Sequence, residues 1–241
     1  MKVKTTNVTL TALNAALYAT IGYMTFLGIF TPVIGVVRFW PGVFIPAVFA
    51  TLFGPWVGGV GAAIGIFISD LIIHGNALLS LTVGVPANFV MFYLIGYLTG
   101  RRMRRRTAIL AAAAAIVLAV LFVAVRLPWE SGEEKVWILI GIITLPLLLL
   151  MGALKGKWTL YQFASTLGNA AGSLIVGFGV WGYSQFLALP SGGSTLPIVA
   201  AYMWIAWTFM NQIPFLVLLG PPVLKACEAA LPATLLRRMS E

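Results

Sequence analysis

Residues 56–74 read WVGGVGAAIGIFISDLIIH, an apolar run whose ionisable side chains, Asp70 and His74, both fall near its end. As a helix it rises about 1.5 Å per residue, which matches a hydrocarbon core about 30 Å thick. Gly54, Gly58, Gly61 and Gly65 form a strip of small residues along it, the device by which helices approach closely in lipid. We read that strip as packing within the chain. Comparable runs fall near 8–30, 40–54, 82–100, 107–125, 136–152, 160–187 and 197–220, giving about eight hydrophobic segments. The segment at 40–54 is short and carries Pro41 and Pro46. It is expected to be tilted, broken or only partly spanning, because free backbone groups in lipid must be satisfied internally. The first run follows Lys2 and Lys4 but is longer than the apolar region of a secretory signal, and it ends at Thr31 and Pro32, so it is read as a membrane helix.

Composition agrees: 61% apolar and 9% charged residues in 241, with mean hydropathy near +1, do not suit a water-soluble domain. The net charge of +9 comes from basic residues set between apolar runs rather than interleaved with aromatics on a wettable face, so no nucleic-acid partner is expected. The single cysteine, Cys227, can form no internal disulfide and is read as a packing residue.

The fold class predicted is therefore an all-α integral membrane protein, a single transmembrane helical domain over 1–241 embedded in a lipid bilayer. Lys and Arg mark cytoplasmic loops. With the amino terminus inside and eight crossings, the inside set is Lys2, Lys4, Arg101, Arg102, Arg104, Arg105, Arg106, Lys155, Lys157, Lys225, Arg237 and Arg238, leaving Arg38, Arg126 and Lys135 outside. Both termini and the central basic loop are thus placed in the cytoplasm, in a multi-pass protein of the cell membrane. The RRMRRR stretch serves this topology; contact with anionic headgroups is a second reading.

Polar residues within a membrane are costly and point to function. Counting along the oriented helices gathers Arg38, Trp40, Asp70, His74, Asn76, Asn88, Trp181, Tyr183, Gln185 and Tyr202, with Trp204, at the outer leaflet or its edge. Flat aromatic walls with a few polar anchors make a small-molecule pocket. In it Arg38 could grip a carboxylate or phosphate with its bidentate fork. The plainer readings are that aromatics collect at membrane interfaces and that Arg38 snorkels to one. Asp70 and His74 share a helical face four residues apart and could pair, carry a proton or ligate a metal. Two ligands do not make a zinc-type site, however, and Asp70 could simply cap a neighbouring loop. No metal or resident cofactor is expected. Asn14, Asn169, Asn211 and Gln212 come out deeper and are read as interhelical hydrogen bonds, with Pro214 breaking the last helix locally.

In the first helix Ala12, Ala15, Ala16 and Ala19 lie at i, i+3, i+4 and i+7 on one face. The strip either packs within this chain or docks a separate membrane subunit. Together with RFWPGVFIPAVFATLFGPWVGGVGAAIGIFISDLI, VPANFVMFYLIGYLTGRR, LGNAAGSLIVGF and IPFLVLLGPPVLKA, it resembles the substrate-binding S component of energy-coupling factor (ECF) transporters. The resemblance covers about two thirds of the chain. It implies a six-helix S-component-like bundle, so that two of the segments, at roughly 107–152, are an inserted hairpin. It also implies capture of a vitamin or related micronutrient from outside, with energy from a transmembrane T subunit and two ATPase subunits, and docking of the T subunit on the alanine strip. The chain carries no G-x-x-x-x-G-K-[ST] phosphate loop and is not expected to be an enzyme. The competing classes are a self-sufficient channel or secondary transporter, expected to show a polar path or an internal repeat, and an intramembrane enzyme on Asp70 and His74, which lacks a nucleophile-base set.

Overall fold

A computed structural model describes residues 5–29, 33–34, 37–101, 105–126 and 158–232. Seven helices occur among them: α1 (Thr5–Met24, continued by a π turn Thr25–Ile29), α2 (Phe44–Phe53), α3 (Pro55–Ile73), α4 (Ala77–Thr99, with a π turn Ser80–Gly84 inside it), α5 (Arg105–Arg126), α6 (Trp158–Ser184) and α7 (Ile198–Ala230). A two-residue antiparallel ladder, β1 (Val33–Ile34) with β2 (Val37–Arg38), lies between α1 and α2. Five stretches, Thr5–Leu27, α3, α4, α6 and α7, are long and apolar enough to cross a membrane. The chain is a multi-pass membrane protein. The apolar run at 136–152, the basic residues Lys2, Lys4, Arg102, Arg104, Lys135, Lys155, Lys157, Arg237 and Arg238, and most of the segment 107–152 beyond Arg126 lie outside the described residues.

The bundle is organised by α3. Its glycines remove the side chains that would hold neighbours away: a Cβ on Gly58 would lie 2.7 Å from the Cα of Ala50, one on Gly61 would lie 2.8 Å from the Cβ of Asn14, and one on Gly65 would lie 2.8 Å from the Ala15 carbonyl oxygen. Into the space over Gly61 goes the Asn14 amide, which donates to the Val57 and Gly58 carbonyls at 3.0 and 3.2 Å. Ser69 returns a bond to the Ala19 carbonyl at 3.2 Å. These contacts set α1 and α3 parallel and in fixed register. The alanine strip is divided by this arrangement: Ala15 and Ala19 are buried, whereas Ala12 and Ala16 face outward.

The second segment is helical but short. A 3₁₀ turn, Pro41–Val43, leads into the ten residues of α2, and together they reach only about 20 Å. It begins inside the bundle: Gly42 packs on Tyr18 and Ile21, and the Trp40 backbone N–H faces the Asn211 Oδ1 at 3.4 Å, thirteen residues into α7. At its other end Gly54, at φ +100°, turns the chain sharply into α3. Seven of the ten α2 residues are buried, which is how a half-length helix survives at membrane depth.

The last helix departs from expectation. It runs unbroken for 33 residues through Pro214, Pro221 and Pro222, about 50 Å against a hydrocarbon core of about 30 Å. Side-chain donors crowd the turns around these prolines. Asn211 Nδ2 donates to the Trp207 carbonyl at 2.7 Å, Asn169 Nδ2 to Phe209 at 3.0 Å, and the Tyr161 hydroxyl to Leu216 at 3.1 Å. These donors tie the helix internally and to α6, but they reach carbonyls other than those of Met210, Val217 and Leu218, which Pro214, Pro221 and Pro222 leave without an i+4 N–H. Ala112 and Ile116 of α5 share a buried cluster with Phe163 of α6, and Leu118 lines a groove together with Ser173.

Gly58→Ala should therefore cost about 1–3 kcal/mol through overpacking against backbone that cannot yield. Gly182→Ala, with open space at its Cβ position, should be neutral or slightly stabilising. Thermal unfolding of the two detergent-solubilised variants beside the parent checks this; equal melting points for all three would remove the account of α3.

Candidate functional site

A cavity of about 110 Å³ opens between α1, α3, α4, α6, α7 and the chain entering α2. Ile66, Leu79, Val83, Val176 and Val180 give it apolar walls. Tyr18, Trp40, Asp70 and His74 face it, as do Asn88, Thr208 and Gln212. Each helix contributes by helical spacing: Ile66, Asp70 and His74 from α3, Gly84 and Asn88 from α4, Val176 and Val180 from α6, Thr208 and Gln212 from α7 are all four apart and so share a face.

Glycines again set the approach. The Trp40 ring lies across α1 where Gly22 has no side chain, and a Cβ on Gly84 would stand 2.8 Å from the Asp70 Oδ2. Trp40 meets Tyr18 edge to face at 6.0 Å, and the Tyr18 hydroxyl donates to the Asn88 Oδ1 at 2.7 Å. Asn88 in turn donates to the Gly84 carbonyl at 2.9 Å. Two donors converge on Asp70: the Ser80 hydroxyl on Oδ2 at 2.7 Å, and His74 Nε2 near Oδ1 at 3.4 Å. His74 Nδ1 accepts the Asn76 backbone N–H at 3.1 Å, which assigns the imidazole proton to Nε2, facing the carboxylate.

Three polar atoms of the lining are buried and unpartnered: the Gln212 Oε1, the Thr208 Oγ1 and the Trp40 Nε1. Their residues are 9%, 3% and 6% exposed. Buried polar groups are almost always hydrogen-bonded, so three together in one cavity mark a place where something polar belongs.

The structure thus brings together Trp40, Asp70, His74 and Asn88. Asn76 stands just behind them: its Oδ1 accepts the Leu79 N–H at 2.9 Å as the cap of α4, and its Nδ2 donates to the Tyr183 hydroxyl at 3.1 Å. Trp181 and Gln185 are employed elsewhere, holding the loop after α6 through the Leu196 carbonyl, each at 3.0 Å. Tyr202 lines a separate apolar groove between α5, α6 and α7. Arg38 pairs with Val33 through its backbone in the small ladder, and its side chain is outside the described residues. Tyr18, Thr208 and Gln212 are lining residues that polarity and depth along the sequence do not pick out. For Thr208 and Gln212 a signal is present in their i, i+4 spacing; depth counting sets Gln212 too far in because α7 is longer than the membrane is thick. Among the described residues no group of three or more His, Cys, Asp or Glu could hold a metal ion.

Fold and cavity together define a multi-pass membrane protein with a small polar chamber inside its bundle. No protein-family model, no curated protein and no solved structure matches the chain. Asn76→Ala, which removes the α4 cap and the Tyr183 bond while lying behind the cavity wall, should cost about 1–2 kcal/mol of stability. Asn76→Asp, which retains the capping acceptor, should recover most of it. Thermal unfolding of both variants decides whether Asn76 acts as a cap.

Proposed function

We propose that this chain is the substrate-binding S subunit of an ECF-type importer in the cell membrane. It captures a vitamin or related micronutrient from outside and delivers it through a T subunit driven by two ATPase subunits. The observation that carries the reading is the chamber itself, a small concave site with apolar walls and unpartnered buried polar atoms at Trp40, Thr208 and Gln212. The helix that starts inside the bundle supports it, since transport proteins build midplane sites from discontinuous helices. Ala12 and Ala16 are exposed on α1 and available to a partner. Arg101 stacks over the Tyr97 ring at 4.4 Å at the end of α4, where exposed Trp56 and Tyr97 form part of an aromatic row. Basic and aromatic residues together are the signature of a cytoplasmic interface. That signature supports an outward position for the chamber, which lies near the opposite end of α3.

A second reading, a self-sufficient secondary transporter or channel, is favoured by one observation. Gln162, Ser165, Asn169 and Ser173 of α6 are buried and each carries an unpartnered polar atom, a seam of the kind a polar path needs. Two experiments separate the readings. Ala12→Trp should abolish uptake in cells while leaving substrate binding by the purified protein unchanged; undiminished uptake would remove the docking role. Proteoliposomes of the chain alone should bind substrate and accumulate none, and accumulation without ATPase partners would establish the second reading instead.

A further inference from the structure

The chemistry of the chamber's lining narrows the class of ligand it takes, an inference that rests on the capture reading. Among the described lining residues Asp70 is the one carboxylate, and none is Lys or Arg. Asp70 keeps acceptor capacity to spare, because its Oδ1 meets His74 only at 3.4 Å and a carboxylate offers about four lone-pair sites. Gln212 Oε1 is an unpartnered acceptor, and Thr208 Oγ1 can accept as well. Against these stand two unpartnered donors, the Trp40 indole N–H and the Thr208 hydroxyl, which can act either way. Among the described residues an anion entering here would meet the Asp70 carboxylate with no Lys or Arg beside it. A ligand rich in N–H groups would satisfy the orphaned acceptors. The chamber's volume of about 110 Å³ is of the order of the ~150 Å³ cavity that takes one benzene, so a single ring fits inside it.

We infer that the chamber takes a single-ring nitrogen heterocycle, neutral or cationic, whose amino or ring N–H groups are read by Gln212, Thr208 and Asp70 and whose ring acceptor is read by the Trp40 N–H. Asp70 repels carboxylates and phosphates of the same size, and the described lining offers them no Lys or Arg in return.

The test is a calorimetric titration of the full chain in lipid nanodiscs with three ring-sized probes: 4-aminopyrimidine, pyridine-3-carboxylate and benzene. The aminopyrimidine should bind at least tenfold more tightly than the other two. Thr208→Val and Gln212→Leu should each weaken it about tenfold, with melting points measured alongside so that a poorly folded Gln212→Leu leaves the near-isosteric Thr208→Val to decide. Asp70→Asn should narrow the gap to the carboxylate. Tighter binding of pyridine-3-carboxylate, or an aminopyrimidine affinity indifferent to Thr208→Val, would overturn the inference while leaving the capture reading intact. Binding of none of the three would overturn the inference, and failure of small molecules to copurify with the same preparation would then count against capture as well.

Discussion

The close approach of α1 to α3 governs the rest of this structure. In a bilayer there is no hydrophobic force between helices, since lipid tails are as apolar as leucine, and association depends on contact and hydrogen bonding. Gly61 and Gly65 give the contact, and Asn14 gives the hydrogen bonds by reaching into the space a side chain at Gly61 would fill. That one insertion fixes the register of the two helices. From it follow Ser69 on Ala19, Tyr18 on Asn88, and Trp40 laid across Gly22. Three walls of the chamber are consequences of where a glycine permits an asparagine to sit.

The interior start of α2 is the second constraint. A helix of about 20 Å cannot cross a core of about 30 Å, so one of its ends must lie within the protein. An N-terminus so placed exposes backbone donors that lipid cannot satisfy. The chain answers with Pro41 at the start, which carries no N–H, with Asn211 facing the Trp40 N–H, and with close cover by Tyr18 and Ile21. The same irregularity that makes α2 costly is what leaves room beside Trp40 for a cavity.

Much of this is legible in the sequence. The run at 56–74 corresponds to α3 within a residue at each end, and 160–187 to α6 within three, because length and apolarity set both. The run at 82–100 misses the first turns of its helix because Asn76, the cap, stands before two leucines and a serine that resemble a loop. The last run reads as ending at 220 because Pro221 and Pro222 look like a stop, and a lone helix in water would stop there; the helix continues ten residues further, with Pro221 and Leu224 buried. The site is half visible. Asp70, His74, Asn88 and Trp40 are reachable from polarity and depth. Thr208 and Gln212 are not, because depth counting supposes upright helices of equal length, whereas α7 exceeds the membrane's thickness and must tilt or project. Tyr18 carries no signal of its own, since only the position of Asn88 across the bundle gives its hydroxyl a partner.

The buried polar atoms of α6 bear on how such a chamber could empty. Asn169 spends its donor on the Phe209 carbonyl, leaving its Oδ1 without a partner, and Gln162, Ser165 and Ser173 are likewise incomplete. Leaving such groups unmade in the interior costs about 1–3 kcal/mol each, so four of them on α6 weaken that helix's hold, whereas the α1–α3 contact carries one, the Asn14 Oδ1, beside its glycine contacts and the Asn14 and Ser69 donors. If the bundle deforms during delivery, the loosely satisfied interface is the one with the least to lose, and α1 with α3 remains the rigid part. A rigid α1 is also what a docked partner on Ala12 and Ala16 requires, because a surface that reshapes with every cycle would lose its complementarity. Close packing along α1 and α3 and incomplete hydrogen bonding on α6 are therefore the two contrasting properties that the proposed capture role would draw on.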